Sequence, residues 1–227
     1  MRFIWVLLIA SIAAVASSAP TQTQGAATQP ADAVAHALQA KYDRVRDFSA
    51  DFVHKYQGGV LRQTATERGR LLVKKPGKMR WEYRDPERKL FVSDGHKLYS
   101  YIPQDKQVLV SDVPDGDHAT TPALFLAGKG NLQRDFTVAY ATIDGVPAGT
   151  TVLKLSPRRS APEYDWLVLA VDPKTLDIRA LVTVDSQGGR STFTFTNLKE
   201  NLRIADKEFA FSIPRGVDVI TGSVNGQ

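Results

Sequence analysis

The segment from Gly69 to Pro103 constrains this fold more than any other part of the chain. It reads as four strands joined by tight turns, each strand carrying large apolar side chains on at least one face. Pro76-Gly77 and Asp94-Gly95 mark two of the turns, because proline fixes φ and glycine accepts φ > 0. A curved antiparallel sheet with one apolar face follows. No polar constellation runs along these strands, so the sheet is suited to hold something apolar.

The flanking sequence continues the pattern. Val34, Leu38 and Tyr42 recur every four residues and predict an amphipathic helix from about Ala33 to Val45, capped by Asp32. Phe48, Ala50, Phe52, His54 and Tyr56 then alternate with Ser49, Asp51, Val53 and Lys55, the period of a half-buried strand. Further strands are expected near 60–75, 78–83, 89–93, 97–102, 107–112, 136–142, 150–156, 166–172, 178–185, 191–199 and 209–213. Asp85-Pro86, Asp144-Gly145, Asp172-Pro173 and Gly188-Gly189 supply turns between them. Closely spaced strands without long helices predict a barrel, half-barrel or sandwich rather than a parallel α/β sheet. One short helix interrupts them: Thr121-Pro122, then Leu124, Phe125 and Leu126, then Gly128 as a stop. Being apolar nearly all round, it needs an apolar surface to cover, either the mouth of the sheet or a barrel end.

The N-terminus reads as an export signal. Met1-Arg2-Phe3 is a positive n-region, Ile4 to Val15 an apolar core, and Ala14-Val15-Ala16 a site for cleavage after residue 16; a cut after Ala19 is disfavoured by Pro20. About a dozen apolar residues are too few for a bilayer core of roughly 30 Å, so a removed signal is expected and not an anchor. Residues 17–30, rich in Thr, Gln, Ala and Pro, form a disordered lead-in, and 31–227 form a single domain. The chain contains no cysteine, which excludes disulfides, thiolate metal sites, a Cys nucleophile and a lipid-modified N-terminal Cys. A net charge of only +5, with the basic residues scattered, argues against nucleic acid as a partner.

Candidate chemistry is sparse. His36, His54, His96 and His118 form no i, i+4 pair and have no acidic residue at metal-ligand spacing. No nucleophile elbow, phosphate-binding glycine loop or dinucleotide fingerprint is present. Asp85 with Glu87 and Asp115 with Asp117 sit in turn-like segments, where turn chemistry accounts for them. A binding protein without metal, cofactor or catalytic residues is the reading the residues favour; an envelope hydrolase with an apolar cleft is the rival from another class.

Gly69-Arg70-Leu71-Leu72-Val73-Lys74-Lys75-Pro76, Trp81, Val92-Ser93-Asp94-Gly95, and Leu98, Tyr99 with Tyr101-Ile102-Pro103 resemble the periplasmic outer-membrane lipoprotein carrier family (LolA). Phe48-Ser49-Ala50-Asp51-Phe52, Thr121-Pro122, Phe209-Ala210-Phe211 and Pro214-Arg215-Gly216-Val217 extend the likeness, in order, over nearly the whole chain after the leader. The resemblance implies a mainly β fold: an incomplete antiparallel β-barrel, with an N-terminal helix and a short helical lid over a hydrophobic cavity. It implies a monomeric periplasmic chaperone that shields the acyl chains of triacylated lipoproteins. Such a carrier receives them from an inner-membrane ABC-type transporter and passes them to an outer-membrane lipoprotein receptor.

Mapped by strand parity, the resemblance makes Leu71, Val73, Met79, Trp81 and Tyr83 candidates for the cavity wall, joined by Phe91, Leu124 and Phe125. The same residues also suit an ordinary core. In the family, an arginine commonly stands before the strand-ending proline and ties sheet to lid. Here Lys75 stands there as the candidate latch, keeping the charge without the planar fork. The alternative within the same fold is a lipid-sensing or regulatory binding domain of the envelope; the lipid-anchored receptor of the pathway is excluded by the missing cysteine.

Overall fold

A computed structural model of the protein describes residues 29–59, 63–113, 125–159 and 164–222. The leader with its cleavage site, most of the lead-in, His118, the Asp115–Asp117 pair, Thr121-Pro122 and Leu124 lie outside the described residues.

Helix α1 (Ala31–Arg44) opens the fold, burying Ala35 and Leu38 with Val34 and Tyr42 packed beside them. The expected Asp32 cap is corrected: Pro30 occupies the cap position, its carbonyl accepts from the Ala33 N–H, and Asp32 sits inside the first turn. There its charge still favours the positive end of the helix dipole.

Among the described residues twelve strands follow, all in one sheet: β1 (Asp47–Gln57), β2 (Thr64–Lys74), β3 (Lys78–Asp85), β4 (Lys89–Asp94), β5 (Lys97–Ile102), β6 (Gln107–Asp112), β7 (Phe136–Tyr140), β8 (Thr151–Pro157), β9 (Trp166–Val171), β10 (Ile178–Val184), β11 (Arg190–Glu200) and β12 (Asp218–Thr221). Their order is β12-β6-β5-β4-β3-β2-β1-β11-β10-β9-β8-β7. Every pairing is antiparallel except β12 with β6. The sheet does not close, since β12 and β7 are its two edges. This is the incomplete barrel expected from the sequence. Short connections build each half as a meander, the two halves are joined by the long-range seam of β1 against β11, and β12 returns to pair with β6.

Register sorts the side chains. Ala50, Leu71, Trp81, Phe91, Ser100 and Leu109 form one row across β1 to β6, with Phe48, Val73, Met79, Ser93, Leu98 and Ser111 in the neighbouring row. Both rows face the same way, inward. Phe52 stands opposite Gly69 on one side and Phe195 on the other. A Cβ on residue 69 would come within 2.2 Å of the Glu82 carbonyl oxygen and 2.7 Å of the Phe52 ring, so only glycine fits there.

Two elements depart from the sequence reading. The expected strand at 209–213 is instead a 3₁₀ turn (Asp206–Phe209) followed by extended chain. Phe209 is buried there, and Phe211 lies against Tyr99 and Tyr101 on the outer face of the sheet. Alternating aromatics are spent on packing across the sheet rather than on pairing along it. Asp206, paired with Lys74 and Lys78, pins this arm down. The last strand is β12, short and exposed throughout, which carries no burial pattern to read. A second helix, α2 (Leu132–Asp135), is capped by the Asn131 side chain, which accepts from the N–H groups of Gln133 and Arg134.

Gly69→Ala is expected to lower unfolding stability by about 2–4 kcal/mol, through overpacking against Phe52 and the β3 backbone. Urea unfolding followed by tryptophan fluorescence measures it.

Candidate functional site

The inner face of β3–β6 and the facing part of β10–β11 enclose an apolar cavity of about 330 Å³. Met79, Trp81 and Tyr83 come from β3 and Phe91 from β4; Leu98 and Leu109 extend the wall to β5 and β6. Leu181 and Phe193, from the far side of β1 in the sheet order, complete it. For strands so far apart in one sheet to share a cavity, the sheet must curl around it. Ser100 and Ser111 are the small polar members of the lining. Among the described residues no charged side chain contributes to the wall, which suits a hydrocarbon chain and nothing that needs charge pairing.

The floor is built of rings. Phe52 meets Trp81 and Tyr83 edge-on, at 5.1 and 4.8 Å between centroids, and Trp81 meets Phe193 at 5.2 Å. Phe91 closes on Tyr83 at 5.6 Å. At the end of this floor, the His54 ring stacks on Phe193, and its Nδ1 faces Glu67 Oε2 at 3.1 Å. Lys89 donates to the other Glu67 oxygen at 2.6 Å. Burial holds His54 below the ordinary imidazole pKa, partly offset by Glu67. Burial also works against the charge of Glu67, but the hydrogen bonds from Lys89 and His54 outweigh it and hold its carboxyl below the usual range. Burial pushes the Tyr83 phenol up.

The other end is covered by α1 and by residues 125–128, helical at 125–126 as the sequence predicts and a turn at 127–128. The Tyr42 hydroxyl donates to the Leu126 carbonyl, and the Tyr42 ring stacks on Phe125 at 6.2 Å. The Gly77 N–H, from the β2–β3 turn, donates to the Ala127 carbonyl at 2.9 Å. The space beneath this cover is only about 20 Å³, so it is packed down on the core.

Of the residues singled out in the sequence, Met79, Trp81, Tyr83 and Phe91 line the cavity. Leu71 and Val73 share their face but are fully buried in the core, and Phe125 is buried beneath the cover, packed on Tyr42 and Phe136. Leu124 lies outside the described residues. Lys75 does reach the cover, but with its stem: a Cβ on Gly128 would meet Lys75 Cδ at 2.8 Å. Its ammonium lies over the Tyr42 ring, 3.4 Å from the centroid, and donates to the Tyr42 carbonyl near the negative end of α1. Burial lowers its pKa to about 8, with Asp43 and Glu200 opposing that shift.

Leu98, Leu109, Leu181 and Phe193 were not identified from the sequence. Parity along β5 and β6 could have found the first two; the last two depend on the long-range β1–β11 seam. His36 and His96 are exposed, and among the described residues no cluster of three potential metal ligands exists.

A model of the family described as "Outer membrane lipoprotein carrier protein LolA" matches residues 43–212. An outer-membrane lipoprotein carrier protein of Chromohalobacter salexigens is 31% identical over 96% of this chain and 97% of its own length. One of Pseudomonas aeruginosa is 30% identical over 97% and 99%. Among solved structures, a conserved protein of Thermus thermophilus shares the fold, with a TM-score of 0.51 at 11% identity over 84% of this chain and 99% of that one.

Two outcomes are expected. Leu109, 44% exposed at the rim, can become Glu at a cost within about 0.5 kcal/mol of stability. Binding of an apolar fluorophore, read by titration, should weaken about tenfold. Trp81→Glu, by contrast, places a charge among packed rings and should cost the fold itself. For Lys75, the folded pKa near 8 lies below the ordinary 10.5, so the unfolded chain holds the extra proton in between. Stability should therefore rise with pH across that window, and Lys75→Met should remove this part of the slope in paired denaturation series at pH 7.5 and 9.5.

Proposed function

The chain belongs to the LolA family of outer-membrane lipoprotein carriers, and from that premise we propose that it ferries lipoproteins across the periplasm by shielding their acyl chains. The observation that carries this reading is the apolar cavity walled by Met79, Trp81, Phe91 and Phe193 inside a curled sheet. Each methylene removed from water is worth about 0.8 kcal/mol, so a long acyl chain crosses an aqueous compartment only if something covers it. The cavity supplies cover without a charged group to hold the chain too firmly. Release needs that same lack of charge pairing, together with a cover that can move. The Tyr42–Leu126, Gly77–Ala127 and Lys75–Tyr42 hydrogen bonds are few enough to break and re-form during a transfer cycle.

On this reading residues 1–16 are a signal peptide, and the remainder is a single carrier domain. Among the described residues no helix is long and apolar enough to cross a membrane. The cargo is triacylated lipoprotein, received from an inner-membrane ABC-type transporter and handed to an outer-membrane receptor. Binding and release are its whole task, with no bond made or broken.

Native mass spectrometry of the purified protein with a triacylated lipoprotein and with its unacylated form tests the proposal. A one-to-one complex with the acylated form alone is expected. Complexes with both forms would point to the regulatory binding domain, and none with either would overturn acyl carriage.

A further inference from the structure

Two buried polar atoms at the aromatic end of the cavity, one in its wall and one behind Phe193, are not used by acyl shielding. Among the described residues neither Trp81 Nε1 nor His54 Nε2 has a hydrogen-bond partner. Buried polar groups are nearly always paired, so two orphans against one wall call for an occupant. Both rings pack on Phe193, Trp81 edge-on at 5.2 Å and His54 stacked at 4.1 Å with 3° between planes. Phe193 is half-buried, and it lines the cavity together with Trp81.

The two orphans have opposite chemistry. An indole N–H can only donate. His54 Nδ1 faces Glu67, which Lys89 keeps ionised and which can therefore only accept. The proton of the neutral ring must then sit on Nδ1, leaving Nε2 with a free lone pair. One donor and one acceptor thus flank the same phenyl ring at the aromatic end of the cavity.

We propose that Trp81 Nε1 and His54 Nε2 form an anchor for an amide at the head of an acyl chain, reached when the Phe193 ring turns aside. The amide C=O accepts from Trp81 and its N–H donates to His54. An ester offers acceptors only and leaves His54 unpaired. A carboxylate has the same defect and brings negative charge towards Glu67. This inference rests on the acyl-cavity reading and deepens it, because it names the head-group chemistry the cavity prefers.

Competition against an apolar fluorophore, with N-methylpalmitamide, methyl palmitate and palmitate as competitors, tests it. The amide should displace the probe at a concentration about tenfold lower than the ester. In His54→Phe, which keeps a ring stacked on Phe193, the amide-to-ester ratio should fall to within about twofold. The indole ¹⁵N–¹H resonance of Trp81 in the unsubstituted protein should move downfield with the amide and not with the ester. Equal competition by amide and ester, a ratio unchanged in His54→Phe, or an indole resonance indifferent to the amide overturns the anchor and leaves the acyl cavity standing. Failure of all three competitors to displace the probe removes the acyl-cavity reading and the anchor together.

Discussion

The Phe52 ring lies over Gly69, in space that any side chain at residue 69 would occupy, and the concave face is organised around that contact. From there Phe52 meets Trp81 and Tyr83 on one side and Phe193 on the other, joining the β2–β6 meander to the β10–β11 hairpin. Edge-on aromatic contacts of this kind contribute about 0.5–1.5 kcal/mol each beyond their buried area. The same rings that hold the two halves together form the cavity floor. Packing of the two halves and the cavity lining therefore draw on one set of side chains.

That sharing explains the division of labour along the inner face. Towards β1 and β2 the inward side chains Leu71 and Val73 are ordinary core, and Phe125 is buried against Tyr42 and Phe136. Towards β5 and β6, where no described residue packs over it, the same inward parity yields a lined space instead, and Leu109 at its edge is nearly half exposed. A strand face thus changes from core to cavity wall along its row according to what covers it. The outer face shows the complementary solution, with Phe209 and Phe211 brought back by the C-terminal arm to close it.

Besides the Gly77–Ala127 hydrogen bond, the contacts described at the cover converge on Tyr42. Its ring stacks on Phe125, its hydroxyl donates to Leu126, its carbonyl receives Lys75, and burial pushes its phenol up so that it remains a donor. Lysine at position 75 bonds to α1 and meets the turn only through its stem against Gly128. An ammonium on a flexible stem makes a looser fastening than a guanidinium fork.

Local periodicity determined much of this protein. The β2–β6 strands, their turns at Pro76-Gly77 and Asp94-Gly95, the α1 stripe and the inward parity of Met79 and Trp81 are all legible because each depends on residues close in the chain. Tertiary structure decided the rest. Leu181 and Phe193 reach the cavity only through the β1–β11 seam, which no short-range pattern encodes. The 209–213 aromatics read as a strand but pack across one, since alternation fixes which way side chains point and not what the backbone pairs with. Whether an apolar side chain on the inner face becomes core or cavity wall depends on what is folded over it, and that is a property of the assembled sheet and its cover.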